Sequence, residues 1–427
     1  MSNRLSKLIL RAGVLPLVAA GLLPLALADR AAAQTRVISR AVVGSPGMAG
    51  GGNQISTRSV EKYARILELT DDQRETVKSL HEGYQATYKA AADKLQKELE
   101  EIREAFEDSQ DGSVFAERMP QAQKQFREAS NKAEAEFFSD FKVVLNEQQG
   151  ARWEKVERAR RRETLLRGGS LSGDSVDLTE VVEGLKLTGT LEPIHEAVNQ
   201  YEVDLDRVLQ SKKSMMDKQS DIALNGILNI DDLRKRSDEM KEISGKIKQV
   251  NQDYARRIEQ VLPDDVRPAF SAAVKRQTFP RVYKVSQVSR TMDAALKLSD
   301  LDSNQKESIR ALKESYDRQV APLNDAWAAE IEKDEMDPAN MSFGDGTTSV
   351  RINTSGGGND EDQSPLAKAR KARRELDESI KERLMNTLNP AQREKLPKPG
   401  TAPGEGGEGD ELLDDAGVVG GVIIAPR

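Results

Sequence analysis

The chain has 427 residues, of which 32% are charged and only 4% are aromatic, and its formal net charge is −7. A mean hydropathy of −0.62 argues against a thick globular core and favours long amphipathic helices. Cysteine is absent, which excludes disulfides and thiol catalysis, and the acidic balance argues against a nucleic-acid-binding protein.

Residues 1–33 are typical of a secretory signal peptide. Arg4, Lys7 and Arg11 precede an uncharged run from Ala12 to Ala28, and small residues that suit cleavage follow it. This pattern predicts a periplasmic protein. An uncleaved N-terminal membrane anchor is the alternative, although the run is shorter than the roughly 20 apolar residues that usually span a bilayer. No other stretch of the sequence is apolar enough to do so.

Residues 34–60 are rich in glycine and lack periodicity, so we interpret them as a flexible leader. From Thr70 onward, apolar residues recur every three or four positions, which is the period of an amphipathic helix. A polar turn follows Phe106, and a second apolar stripe ends near Val144. The pattern predicts a long antiparallel helical hairpin with a shorter third helix within residues 61–168.

A short motif of leucine, helix-capping residue and glutamine marks where these helices begin. The capping side chain accepts a hydrogen bond from the backbone of the glutamine, whose side chain reaches back to the backbone of the capping residue. This capping box is predicted once before and once after each of two hairpins. Its residues are Leu69, Thr70 and Gln73, Leu145, Asn146 and Gln149, Leu301, Asp302 and Gln305, and Leu388, Asn389 and Gln392.

The recurrence of the motif predicts an all-α protein with three tandem hairpin units, at 61–168, 169–290 and 291–398. The middle unit is degenerate, because Pro263 occupies a capping position and Leu191 and Val266 replace the glutamines. The third unit contains a glycine-rich stretch at 337–363, predicted to be a disordered insertion, and residues 399–427 are predicted to be a disordered acidic tail.

The doubled motif around a long hairpin resembles the LTxxQ motif of the Spy/CpxP family of periplasmic proteins. The resemblance covers residues 61–167 and 291–398 well and 177–285 in outline, and the chain departs from the family by carrying three units. It implies all-helical units that form curved, cradle-like surfaces and act as ATP-independent chaperones or envelope-stress modulators. Some branches of the family bind metal through histidine-rich or cysteine ligands, which this chain lacks.

Two sets of side chains are candidates for a client-binding surface. Phe126, Phe137 and Phe141 belong to an aromatic stripe; hairpin core is the favoured interpretation and an open apolar face the alternative. Arg158 and Arg161 belong to a basic run, which we interpret as a solvated face, or alternatively as a site for acidic client segments or anionic lipid headgroups.

No catalytic, cofactor or metal site is predicted. The two histidines, His81 and His195, occupy different positions in the repeats, so each is interpreted as a surface or boundary residue. The sequence therefore predicts a non-enzymatic chaperone-like protein that binds unfolded or aggregation-prone envelope proteins, with no membrane span after processing. The alternative is a self-associating structural scaffold of the cell envelope, and a homo-oligomer is compatible with both.

Overall fold

The computed structural model describes residues 54–111, 113–166, 169–187, 192–223, 230–336, 340–343, 350–353 and 364–397. These residues are helical apart from turns and one short β-ribbon, so the all-α prediction is confirmed. The predicted signal peptide, most of the predicted leader and the predicted acidic tail lie outside the described residues. Within the described ranges, no helix combines the length and the hydropathy needed to cross a bilayer.

The first part of the chain consists of two long helices with short helices on either side. Helix α1 (Thr57–Ile66) precedes the long helices α2 (Asp71–Ser109) and α3 (Ser113–Val143), which pack against each other as hairpin 1. Helices α4 (Glu147–Gly150) and α5 (Trp153–Leu165) follow. The opposed apolar stripes of α2 and α3 explain the pairing, because each stripe removes the other from water.

Helix α1 corrects the predicted leader, because the chain is helical from Thr57 rather than flexible up to residue 60. The Ser56 hydroxyl accepts a hydrogen bond from the backbone N–H of Ser59 at 3.0 Å and caps the helix. Ile55 and Tyr63 are fully buried against hairpin 1. Burial of these two side chains therefore anchors a segment whose glycine-rich surroundings gave no helical signal.

The middle part of the chain repeats this order, but here the longer closing helix comes first. Helix α6 (Leu178–Gly184) precedes α7 (Glu192–Ala223) and α8 (Ile230–Val261), which form hairpin 2. Helices α9 (Arg267–Thr278) and α10 (Pro280–Tyr283) follow.

The last part again places a short helix before a long pair. Helix α11 (Gln287–Leu296) precedes α12 (Ser303–Glu335) and α13 (Pro365–Thr387), which form hairpin 3, and α14 (Pro390–Glu394) closes it.

A two-stranded antiparallel ribbon lies between α12 and α13. Strand β1 (Asn340–Phe343) pairs with β2 (Val350–Asn353), with Asn340 opposite Asn353 and Phe343 opposite Val350. The disorder predicted for 337–363 is therefore wrong for these eight residues, and the rest of that stretch lies outside the described residues.

Three separate clusters of buried apolar side chains form the cores, one for each hairpin and its short helices. The first surrounds Phe137 and Trp153, the second surrounds Tyr201 and Phe270, and the third surrounds Ile309. A two-helix layer has a large surface for its volume, so each core is thin. The junctions between the hairpins therefore matter for the stability of the whole chain.

Candidate functional site

All four predicted motifs form capping boxes. At the first, the Thr70 hydroxyl accepts a hydrogen bond from the Gln73 backbone N–H at 3.3 Å, and the Thr70 N–H donates to Gln73 Oε1 at 3.0 Å. The same reciprocal bonds occur at Asn146 and Gln149, and in hairpin 3 at the pairs Asp302 with Gln305 and Asn389 with Gln392. The capping role is confirmed for each motif.

The opening and closing glutamines of hairpin 1 also bind each other, which the sequence analysis missed. Gln73 Nε2 donates to Gln149 Oε1 at 2.8 Å, and Gln149 Nε2 donates to Gln73 Oε1 at 2.9 Å. Each amide donates its second hydrogen across the hairpin, Gln73 to Val144 O at 2.8 Å and Gln149 to Glu68 O at 3.3 Å. In each case the carbonyl belongs to the residue before the leucine of the opposite motif.

Hairpin 3 repeats the arrangement. Gln305 Nε2 donates to Gln392 Oε1 at 3.0 Å, and Gln392 Nε2 donates back to Gln305 Oε1 at 3.2 Å. Their second donations go to Thr387 O and Asp300 O, each at 2.9 Å. We call this reciprocal amide pair a glutamine lock. It joins the start of the first long helix to the short helix after the second, at the base of hairpins 1 and 3.

Hairpin 2 has no glutamine at the described closing position. Val266 precedes α9 without a side-chain cap, and Thr188 and Leu191 of the opening motif lie outside the described residues. The closing motif keeps one hydrogen bond in common with the opening motif of hairpin 1. Arg267 Nε donates to Leu262 O at 2.9 Å, as Arg74 Nε donates to Leu69 O at 3.2 Å. This agrees with the prediction that the middle motif is degenerate.

A tyrosine of the first long helix anchors the preceding short helix in all three hairpins. The Tyr84 hydroxyl accepts from Ile55 N at 3.0 Å, the Tyr201 hydroxyl accepts from Leu178 N at 3.3 Å, and the Tyr316 hydroxyl lies 2.6 Å from Ser286 Oγ. Burial raises the pKa of Tyr84 and Tyr201, and raises that of Tyr316 to about 12. The three hydroxyls therefore stay protonated.

The three phenylalanines lie in the core, which is the favoured interpretation of the aromatic stripe, and not on an open client-binding face, which is the alternative. Phe126, Phe137 and Phe141 are only 5%, 3% and 0% exposed. Phe137 contacts Tyr84 with ring centroids 5.5 Å apart, and Phe141 contacts Trp153 at the same distance. The client-binding interpretation of these rings is therefore wrong for this conformation, because the stripes of α2 and α3 face each other.

The basic run on α5 is also not a solvated face. Arg160 is buried and donates to both carboxylate oxygens of Glu134 on α3, at 3.0 and 2.6 Å. Arg158 pairs with Glu154 on its own helix at 2.7 Å, and its side chain is 11% exposed. Arg160 therefore has its carboxylate partner in hairpin 1, and Arg158 has its partner on α5 itself.

The next two arginines of the run bind hairpin 2. Arg161 donates to both oxygens of Asp206 at 2.6 and 3.0 Å, and Arg162, only 2% exposed, pairs with Asp177 at 3.3 Å and Glu202 at 2.7 Å. Because their charges are satisfied internally, Arg158 and Arg161 are not available for acidic clients or lipid headgroups in this conformation. Helix α5 is instead a charged bridge between hairpins 1 and 2.

Polar side chains also connect hairpins 2 and 3. Glu335 accepts from the Ser172 N–H at 2.8 Å and from its hydroxyl at 2.9 Å, and Lys248 Nζ lies 2.8 Å from Glu332 Oε1. Asp174, in the same loop as Ser172, is 1% exposed. Burial raises the pKa of Asp174 and of Glu335. The junction therefore holds two carboxyl groups that are harder to ionise than usual.

The two histidines have different environments. His81 is buried, with Nε2 2.8 Å from Ile55 O and its ring stacked on Tyr84, so the surface prediction is wrong for this residue. His195 is exposed, as predicted. Among the residues that the structure describes, no three His, Cys, Asp or Glu side chains are grouped so that they could hold a metal ion.

The described surface offers few large apolar side chains. Four of the exposed ones lie at helix ends or in a loop and two lie on α7; they are Val143, Val261, Val285 and Met336, and Val203 and Met216. Comparison with protein-family models, curated proteins and solved structures gives no match to the chain. The resemblance to the Spy/CpxP family therefore rests on the motif residues alone.

Proposed function

We propose that this protein is a non-catalytic helical scaffold of the cell envelope, exported by its N-terminal signal. It would bind other proteins, or further copies of itself, through the charged outer surfaces of its hairpins. The observation that carries this proposal is the burial of the apolar stripes: Phe126, Phe137 and Phe141 stabilise the cores, so the residues that the structure describes leave little apolar surface for unfolded clients. Ion pairs at both junctions favour a fixed arrangement of hairpins, as a scaffold requires.

An ATP-independent chaperone is the second candidate. The glutamine locks favour it, because they occur at the two motif pairs that resemble the Spy/CpxP family and give these pairs a common structural role. To bind clients through its aromatic stripe, however, such a chaperone would have to open hairpin 1 and expose Phe126 and Phe137.

Aggregation suppression by the processed protein separates the two candidates. A scaffold should give little suppression of an unrelated unfolding protein at equimolar ratio without ATP, and it should give a defined oligomer or a discrete envelope partner on sizing with light scattering. Strong suppression, with a heterogeneous sizing profile, would support the chaperone.

A cross-link across hairpin 1 tests whether aggregation suppression requires the hairpin to open. Lys94 on α2 and Gln125 on α3 are exposed and contact each other at 3.0 Å, and the chain has no cysteine of its own. Lys94→Cys with Gln125→Cys, joined by a short bis-maleimide, should hold hairpin 1 closed. A chaperone that opens should lose suppression on cross-linking, whereas the single Lys94→Cys variant treated in the same way should keep it. Scaffold assembly should be the same in both.

A further inference from the structure

A cleft of about 350 Å³ lies in the third part of the molecule, between α11, α13 and the segment after α14. Its apolar lining comes from Val288, Met385 and Leu396, and Pro397 lies at the same edge. Val288 and Leu396 are 5% and 7% exposed, so they form a floor rather than a protruding patch. A cleft of this volume is within the usual size range of ligand sites.

The cleft has a basic rim. Arg374 and Lys381 are exposed on the same face of α13, two turns apart, and Arg393 lies opposite. Asp377 also lines the cleft, but it accepts a hydrogen bond from Tyr316 at 2.8 Å and pairs with Arg373, so its charge is offset from within hairpin 3. Of the two acidic residues in the lining, only Glu378 is left to oppose the charge of the three basic groups. The site therefore suits an apolar ligand flanked by negative charge.

We propose that this cleft binds residues 410–415 of the chain's own C-terminal tail, Asp-Glu-Leu-Leu-Asp-Asp. Leu412 and Leu413 would lie on the apolar floor, and the acidic residues on both sides would face the basic rim. The apolar stretch 418–425 fits less well, because it has no acidic residue within or immediately beside it. Charge complementarity therefore selects 410–415 within the tail.

The position of the tail supports binding within one chain. Pro397 lines the cleft, and only residues 398–409, a stretch rich in glycine, separate it from Asp410. From its glycine-rich composition, a segment of this length is expected to have a root-mean-square span of about 20 Å. Short flexible tethers give effective concentrations of roughly millimolar, so even a weak site would be occupied by its own tail before that of another molecule.

Cleavage of the intact processed protein by a glutamate-specific protease tests the proposal. Glu405 lies in the linker and Glu411 lies in the docked segment, so one chain contains both the test site and its reference. Cleavage after Glu411, normalised to cleavage after Glu405, should be about fivefold slower than in a free peptide of residues 400–420, because docking at millimolar effective concentration removes the site from the protease. Mass spectrometry of the released fragments gives both rates.

Charge reversal identifies the cleft as the binding site. Lys381→Glu should abolish the protection, as should Leu412→Ser with Leu413→Ser. Arg383→Glu makes the same change of charge on an exposed residue of α13 that does not line the cleft, and it should leave protection intact. Protection should also weaken as salt is raised, because the rim charges are exposed to solvent.

Three results would overturn the proposal. Cleavage ratios equal to those of the free peptide would mean that the segment is not docked. Protection that survives Lys381→Glu would mean that the segment binds at another site. Protection that rises with protein concentration would mean that the cleft binds the tail of a second copy instead.

Discussion

At the scale of single residues, the glutamine locks explain why glutamine is needed in both motifs. In hairpin 1 each side-chain oxygen accepts from its own capping residue and from the partner amide, and each Nε2 donates to the partner oxygen and to a backbone carbonyl. These contacts use both donors and both acceptor positions of each amide. Glutamate cannot donate and alanine can do neither, so neither substitution preserves the lock.

We expect Gln149→Ala to lower the free energy of unfolding by about 2–4 kcal/mol, because Gln149 is buried and its loss removes the partner of the Glu68 carbonyl and two of the hydrogen bonds of the Gln73 amide. Gln148→Ala, at an exposed neighbouring position, should change it by less than about 0.5 kcal/mol. Urea unfolding followed by circular dichroism measures both.

A double-mutant cycle checks the coupling. The double variant Gln73→Ala with Gln149→Ala should lose clearly less free energy of unfolding than the sum of the two single losses, because each single substitution already removes the same amide pair. Additive effects would mean that the glutamines act only as separate helix caps.

At the scale of helices, the local features were predictable and the contacts between helices were not. The long helices and capping boxes follow from residues three or four positions apart, which periodicity and cap chemistry detect. The lock joins Gln73 to Gln149 across 76 positions, and no local pattern encodes that distance. The one sequence feature that could have indicated the lock is a glutamine at the same position of both motifs.

The basic run on α5 illustrates the same limit. A solvated helix face and a charged interface have the same composition, so the sequence could not separate them. Two partners of Arg161 and Arg162, Asp206 and Glu202, lie on α7, and the third, Asp177, caps α6. Only the packing of α5 against this part of the chain brings the charges together. Similarly, the sequence did not predict the burial of His81. Its hydrogen-bond partner is the carbonyl of Ile55, in the segment before α1, and the glycine-rich sequence around that segment gave no sign of a helix.

We expect Arg162→Met to lower the free energy of unfolding by roughly 3–5 kcal/mol, because it leaves Asp177 and Glu202 largely buried without their cation. Arg152→Met removes a more exposed pair with Glu68 from the segment before α5 and should cost less than about 1 kcal/mol. Differential scanning calorimetry should also show hairpin 1 unfolding separately from hairpin 2 in Arg162→Met. A single transition with unchanged stability would contradict the bridge.

At the scale of the whole molecule, three thin cores are joined by charged and polar contacts and, between hairpins 1 and 2, by the end of α5, where Leu165 and Leu166 pack into the second core. The junction between hairpins 2 and 3 contains Asp174 and Glu335, whose pKa values burial raises, beside Lys248. A Cβ at position 169 would lie 1.4 Å from Asp174 Oδ1, so any side chain larger than that of glycine would displace this buried carboxyl. The junction should therefore respond to pH differently from an ordinary surface ion pair.

The direction of that response follows from the raised pKa of Asp174. The unfolded chain ionises this carboxyl at its ordinary pKa of 3.8, whereas the folded chain resists ionisation because the group is buried. Between 3.8 and the higher folded pKa, the folded state binds more protons than the unfolded state. Asp174 therefore opposes folding at neutral pH, and this cost disappears as pH falls through the folded pKa towards 3.8.

We expect Asp174→Asn to raise the melting temperature at neutral pH and to lose this advantage as pH falls towards 4. The asparagine oxygen can still accept the Ser170 and Leu171 N–H groups, which donate to Asp174 Oδ2 at 2.8 and 3.1 Å, and its NH₂ would face the Ser244 hydroxyl. Asp206→Asn is the contrasting control, because it breaks a paired carboxylate and should lower the melting temperature at neutral pH. If Asp174→Asn destabilised the neutral protein as well, Asp174 would be an ionised partner in the junction, and the pH dependence would have the opposite sign.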